Sequence, residues 1–356
     1  MITDLRLQNF RSYADASFEL GQAVNIIVGP NASGKTNILE AILVLASGSS
    51  YRAHDAELVQ FDASWTRLDA TTSAGTRTVK LQPGEAGKVL KTFDIDGQKF
   101  VRLSAQRKVP AVLFEPNHLF LLNGPPEPRR AFLDDLLEQI NVGFGATRRH
   151  YKRVLYHRNT LLKQNPPNIA DQLFVWNLRL SELAGKLAKD RRALISRFEP
   201  QMSELYNSLT LKNHDIGLEY VTRFAGQDYE TALLRKLEAS TELDILRGFT
   251  AYGPHRDDLQ LSIDGHPASE SASRGETRTL VLALKILELK VLEESCGQSP
   301  LLLLDDVFSE LDTNRRQALT KFINQYQTLI TTTDADLVAH YFSSCNIITL
   351  PANQPL

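Results

Sequence analysis

The chain has little cysteine, no long apolar run and almost no excess of charge, and each shortage excludes a class of protein. Its two cysteines, Cys296 and Cys345, lie far apart in 356 residues and form no CxxC pair. That excludes a disulfide framework and a thiolate zinc site, and makes a reduced cytoplasmic compartment the default expectation. The longest apolar runs, such as Leu301 to Leu304 with their neighbours, fall far short of the roughly 20 residues that cross a bilayer. The opening Met1-Ile2-Thr3-Asp4-Leu5-Arg6 carries an early acid and no apolar h-region, so neither a secreted nor a membrane protein is expected. A formal net charge of -2 removes any bulk argument for a polyanionic partner, which would need a local basic surface instead. What is present is an ordinary globular composition, 42% hydrophobic, on a chain long enough for two domains.

Hydrophobic patterning divides the chain into textures. Ile2, Leu5, Leu7, Phe18 and Leu20 mark short strands, and Val24-Asn25-Ile26-Ile27-Val28 reads as a buried strand. A glycine-containing loop, 29–36, leads into apolar residues at helical spacing from Ile38 to Leu45, stopped at Ser47-Gly48-Ser49-Ser50. From about 60 to 115 a β-rich lobe is expected, with a tight hairpin at Asp96-Gly97 and Ala111-Val112-Leu113-Phe114 as its closing strand. Residues 123–211 read as an inserted helical arm of two antiparallel segments, joined at Gln164-Asn165-Pro166-Pro167-Asn168. Strands return at 216–221, 259–263, 301–304, 329–333 and 347–350. The expected architecture is an α/β head formed by 1–122 and 212–356, interrupted by the arm.

Gly29-Pro30-Asn31-Ala32-Ser33-Gly34-Lys35-Thr36 fits G-x-x-x-x-G-K-[ST] between a strand and a helix. Glycines let successive backbone N–H groups curl round a triphosphate, and the helix N-terminus adds partial positive charge. Lys35 then serves the β- and γ-phosphates and Thr36 offers a hydroxyl to Mg²⁺, so ATP and Mg²⁺ are the expected ligands. Leu301-Leu302-Leu303-Leu304-Asp305-Asp306 has the form of a Walker B strand. Asp305 would join Thr36 at the metal, and Asp306 would orient or deprotonate the attacking water. Between these lies Ser273-Arg274-Gly275-Glu276 at the head of an apolar helix, an N-capped start on its residues alone.

The order of P-loop, Ser-x-Gly-Glu, Walker B and Ser309-Glu310-Leu311-Asp312 resembles the ABC-type ATPases with their signature motif and D-loop. That resemblance implies a head-to-tail homodimer, in which Ser273 to Glu276 of one copy cap the ATP held by the other. Phe10-Arg11-Ser12-Tyr13 is similar to the first strand of SMC-like ATPases. The stretches 124–134 (GPPEPRRAFLD), 253–259 (GPHRDDL), 273–280 and 303–312 resemble the RecF family of bacterial DNA replication and repair proteins along essentially the whole chain. Membership would imply an ATP-dependent DNA-binding protein of recombinational repair and the SOS response. It would close on gaps or duplex junctions and help RecA load with RecO and RecR as partners, in the cytoplasm at the nucleoid.

Departures from the wider class shape the expectations. Ala32 stands where many relatives carry Gly, which is acceptable if its φ is negative. Asp306 is one methylene shorter than the usual Glu, and the strand that would carry a switch histidine ends Thr331-Thr332-Thr333-Asp334. Both point to slow hydrolysis used as a timer, and the resemblance to the RecF family implies that DNA stimulates it. Arg148, Arg149, Lys152 and Arg153 are the candidate DNA contacts, and the same run also reads as a solvated helix face. His255-Arg256-Asp257-Asp258 reads either as a phosphate or metal cluster or as a salt-bridged turn. Two other functions fit the P-loop: the nucleotide-binding subunit of a transporter, and a small-molecule kinase, which needs no signature motif.

Overall fold

The structure is a computed structural model that describes residues 1–84, 89–210 and 212–351. In chain order the first elements are β1 (Ile2–Phe10), β2 (Tyr13–Glu19), β3 (Val24–Val28), α1 (Lys35–Ser47), β4 (Thr66–Thr72), β5 (Gly75–Pro83), β6 (Val89–Ile95), β7 (Gln98–Phe100) and β8 (Ala111–Phe114). Then come α2 (Phe120–Asn123), α3 (Pro126–Ile140), α4 (Phe144–Gln164), α5 (Ile169–Thr210), β9 (Ile216–Val221), α6 (Tyr229–Ala239), α7 (Thr241–Arg247), β10 (Asp258–Ile263) and β11 (His266–Pro267). The chain ends with α8 (Ala268–Ser271), α9 (Arg274–Cys296), β12 (Leu301–Asp305), α10 (Val307–Glu310), α11 (Thr313–Ile323), β13 (Thr328–Thr332), α12 (Asp336–Ala339) and β14 (Asn346–Thr349).

Packing groups these elements into two compact units, one of 1–118 with 288–356 and one of 119–287. In the first, a parallel sheet runs β14-β3-β13-β12-β8, and an antiparallel sheet runs β2-β1-β4-β5-β6-β7. Helix α1 supplies Ile38, Leu39, Ile42 and Leu45, all essentially inaccessible, to a core shared with Leu5, Leu7, Leu68 and Leu81 of the antiparallel sheet and Leu303 and Leu329 of the parallel one. Strands β3 and β12 are near-continuous apolar runs, and β13, though it carries three threonines, is buried along its whole length, because both faces of these strands are covered. Strand β8 pairs with β12 in register Leu301↔Ala111, so it belongs to the parallel sheet and does not close the β-rich lobe as expected. Its four residues are all buried, a pattern that fits either sheet and so misleads a reading by periodicity. The Asp96-Gly97 hairpin forms as expected, with φ of 51 and 81 at the two residues, and Asp264-Gly265 repeats it with 50 and 80.

In the second unit α5 runs for 42 residues, about 60 Å, with Pro200 in its interior. Leu173, Leu180, Leu183, Leu187, Leu194, Phe198 and Leu205 recur along one buried face. The outgoing segment is two helices, α3 and α4, where one was expected. The break lies at Asn141-Val142-Gly143, where Gly143 adopts φ 103 at the start of α4, a left-handed conformation that suits glycine. Strands β9, β10 and β11 form a small antiparallel sheet in this unit. Packing therefore divides the chain near 288, where the sequence patterning placed the return to the head at 212. No helix among the described residues is long and apolar enough to cross a membrane.

Candidate functional site

The parallel sheet brings three chain segments to one edge. The P-loop leaves the C-terminal end of β3, Asp305 ends β12, and Thr331 sits near the end of β13, which lies between them in the sheet. Ligands in open α/β sheets bind outside this carboxyl edge, and a cleft of about 350 Å³ opens there. Asn31, Ser33, Lys35, Thr36, Asp305 and Asp306 line it.

Local sterics explain the two glycines of the loop. A Cβ on Gly29 would come within 2.7 Å of Ser33 Oγ and 3.1 Å of Leu350, and one on Gly34 within 2.6 Å of the Tyr13 hydroxyl. Gly34 also adopts φ 95 as the N-cap of α1. Ala32 has φ 65, so the condition of a negative φ under which alanine is acceptable there is not met. The loop places this residue in the left-handed region, and the alanine methyl is strained there by about 1–2 kcal/mol.

Lys35 is held by neutral acceptors. Its Nζ donates to the carbonyls of Gly29 at 2.6 Å and Pro30 at 2.8 Å, and it forms no salt bridge within the described residues. Burial pulls its pKa down, opposed by the nearby Asp306 and Asp305 charges. A phosphate oxygen can replace two carbonyls at little cost, because the exchange adds an opposite charge.

The carboxylates are arranged by hydroxyls. Asp305 Oδ1 accepts from Thr36 Oγ1 at 3.0 Å and from Thr331 Oγ1 at 2.7 Å, while Thr331 Oγ1 accepts from the Asp306 N–H at 2.9 Å. Thr331 thus fixes both acids through one hydroxyl. Asp306 has φ 52, and its Oδ1 is buried with no hydrogen-bond partner among the described residues. Ser33 Oγ is buried and unpartnered in the same way. These hard oxygen donors, Thr36 and Asp305 above all, fit Mg²⁺, and the glycine cradle beside Lys35 fits a triphosphate.

Sequence reasoning missed three contributors to this site. Asn37 and Arg52 line the cleft, and the sequence pattern presents Thr331 only as the residue in place of a histidine. One signal for Arg52 was available: Glu40 interrupts the apolar face of α1. Glu40 is fully buried and accepts from Arg11 at 2.9 Å, from Arg52 at 3.0 Å and from Ser50 at 2.6 Å. Burial opposes its ionisation, yet those hydrogen bonds hold it below the ordinary carboxylate range. A buried acid demands such partners, and they tether the β1–β2 turn and the 50–52 loop to the P-loop helix.

The other predicted residues lie in the second unit. Ser273 and Glu276 form a capping box at the head of α9: the Ser273 N–H donates to Glu276 at 2.9 Å, and the Glu276 N–H to Ser273 Oγ at 3.3 Å. Those bonds draw Glu276 below its ordinary pKa. Ser273 and Arg274 are exposed, and Gly275 follows in the first turn. On α4, Arg149, Lys152 and Arg153 are exposed, whereas Arg148 is engaged by Asp134 at 3.1 Å, Asp135 at 2.9 Å and Glu138 at 3.1 Å. Arg148 is therefore corrected from candidate DNA contact to internal tie.

The GPHRDDL stretch resolves to a packed turn. Asp258 takes both bonds of the Arg129 fork, at 2.8 and 2.7 Å, and the Asp257 carboxylate accepts from Tyr220 at 2.8 Å and Tyr229 at 2.6 Å. His255 Nδ1 lies 2.6 Å from the Tyr151 hydroxyl and its Nε2 3.1 Å from the Thr250 carbonyl; burial pushes its pKa down to about 4. Arg129 and Arg130, from the GPPEPRRAFLD stretch, bind Asp258 and the Asp257 carbonyl, so the two hallmark stretches hold each other. No cluster of metal-ligating side chains occurs among the described residues.

Comparison with known proteins agrees with this geometry. The family model described as RecF/RecN/SMC N terminal domain matches residues 1–350. The DNA replication and repair protein RecF of Ruminiclostridium cellulolyticum is 35% identical over 97% of this chain and 95% of its own length. That of Gloeobacter violaceus is 34% identical over 98% and 96%. The solved structure of the recombination mediator protein RecF-ATPrS in the RecFOR pathway superposes with a TM-score of 0.86, at 29% identity, over 98% of this chain and 96% of that one. A likeness in fold alone extends to an Smc head bound to the C-winged helix domain of ScpA, at 14% identity and a TM-score of 0.54. With a P-loop, a hydroxyl-clamped Walker B pair and these relatives matched end to end, the chain belongs to the RecF family of DNA replication and repair proteins, an ATPase branch of the RecF/RecN/SMC class.

Proposed function

We propose that this chain is an ATP-gated DNA clamp of recombinational repair. ATP binding closes two copies head to tail on DNA at gaps or duplex junctions, and slow hydrolysis, faster on DNA, reopens them. It helps RecA loading with RecO and RecR, and SOS induction, in the cytoplasm at the nucleoid. The observation that carries this is the Asp305 carboxylate, bonded at once to the P-loop threonine and to Thr331, beside Asp306, whose Oδ1 has no hydrogen-bond partner among the described residues.

Lys35 leaves the Gly29 and Pro30 carbonyls for the β- and γ-phosphates, and the P-loop N–H groups of residues 29–36 cradle the triphosphate. Thr36 and Asp305 would hold Mg²⁺, which would neutralise charge on the phosphate oxygens. Asp306 accepts the proton of the attacking water; its short side chain reaches less far than a glutamate, which keeps turnover slow. From the start of α9 of a second copy, the Ser273 hydroxyl and the backbone N–H groups of Arg274 and Gly275 donate to the γ-phosphate, while Glu276 holds the turn through its capping bonds to Ser273. Each closed site then gains several charge-assisted hydrogen bonds of about 1.5–3 kcal/mol apiece, enough to convert a weak encounter into a stable dimer. DNA contacts come from the exposed Arg149, Lys152 and Arg153.

Ser273→Arg tests the trans arrangement. It should bind ATP as the natural chain does and stay monomeric with Mg-ATP in light scattering. Normal ATP-dependent dimerisation by that variant would refute the proposal.

A further inference from the structure

We propose a phosphate-binding groove in the second unit, between α6 and the 248–257 segment, that holds one strand of the DNA by its backbone. This rests on the DNA binding proposed above and adds a second set of contacts to those on α4.

The groove is an open depression of about 740 Å³, lined by Arg223, Arg235, Lys236 and Tyr252 among others. Arg223 and Lys236 both sit over the Tyr252 ring, at 5.2 and 4.9 Å from its centroid. A tyrosine face restricts the rotamers of both long side chains while leaving their charges in solvent, so they are ordered before any ligand arrives. Arg256, on the same segment, is held in the same manner over Phe249 at 5.2 Å.

These cations lack what Arg148 has. Arg223, Arg235, Lys236 and Arg256 are exposed and pair with no carboxylate among the described residues. The one carboxylate lining the groove, Asp228, caps α6 by accepting from the Thr231 N–H at 3.0 Å. In a chain of net charge -2, a cluster of cations left uncompensated carries a cost in self-repulsion that a polyanion removes. Two cations sharing one ring lie close enough to meet neighbouring phosphates of a single strand, and a lining dominated by Arg and Lys favours the backbone over the bases.

The test is anisotropy of a labelled oligothymidine and a labelled gapped duplex, with the full chain in Mg-ATP across a series of salt concentrations. The Arg223→Gln/Arg235→Gln/Lys236→Gln variant should bind ATP normally, lose roughly tenfold or more in strand affinity, and show a log–log salt slope shallower by about 2, some 0.7 per lost contact. Arg235→Gln alone, which disturbs no ring contact, should lose about one such step. A triple variant with the natural slope and affinity would overturn the groove while leaving the clamp standing. The same result with loss of poly-L-glutamate binding would assign the groove to an acidic protein, and equally overturns the proposal. A natural chain that binds neither DNA in any nucleotide state would remove the clamp reading itself.

Discussion

Lys35 and Arg158 are both buried cations, 9% and 0% exposed, and they differ in what holds them. Lys35 rests on two neutral carbonyls in the first unit. Arg158, in the second, is pinned by Asp244 at 2.9 Å, Asn177 at 2.7 Å and Thr250 at 2.6 Å, all buried. Burial pulls Arg158 below its ordinary pKa and the Asp244 carboxylate pulls back. Arg191 repeats the pattern: burial opposes its charge, but both oxygens of Asp134 accept from it and hold it above its ordinary value. The partner, more than the burial, decides the role. A cation on neutral acceptors is available to a phosphate, whereas one locked to a carboxylate is structural, since its release strands a buried charge.

The contrast can be broken at each end. Arg158→Met should cost the most, about 3–5 kcal/mol in denaturant unfolding, because Asp244 is left buried and unpaired. A loss below 1 kcal/mol would remove the distinction. Lys35→Met should leave unfolding almost unchanged yet weaken nucleotide binding by about 1.5–3 kcal/mol, the worth of a charged hydrogen bond, read by titration with a fluorescent ATP analogue. A variant that binds as the natural chain does would make Lys35 a packing residue. Ala32→Gly has the smallest effect. Relief of the left-handed strain outweighs the entropy glycine brings, for a net gain between zero and about 1 kcal/mol, checked by thermal unfolding. A loss of stability would mean the alanine methyl packs favourably.

The nucleotide site was largely legible in the sequence because its chemistry is local. A glycine loop between strand and helix and an apolar strand ending in acids need only spacing to be recognised, and β3, α1 and β12 form where the pattern put them. Thr331 was not legible, since its hydroxyl acquires meaning only when β13 lies between β3 and β12. Strand order is a long-range property that no local period carries. The fate of the basic residues was hidden for the same reason. Arg148, Arg149, Lys152 and Arg153 look alike in sequence, and only the packing of α4 back against Asp134, Asp135 and Glu138 of α3 separates Arg148 from its neighbours. The Asn141–Gly143 break was readable from its glycine and was passed over because apolar periodicity continues on either side.

The most direct measurement is sedimentation velocity of Asp306→Asn with Mg-ATP, Mg-ADP or no nucleotide, with and without a short gapped duplex. A dimer that forms only in Mg-ATP and co-sediments with the duplex is the predicted result: the site binds and closes, and the missing base arrests it there. A monomer under every condition would contradict the account, because it would deny that the nucleotide site and the signature residues act across two copies.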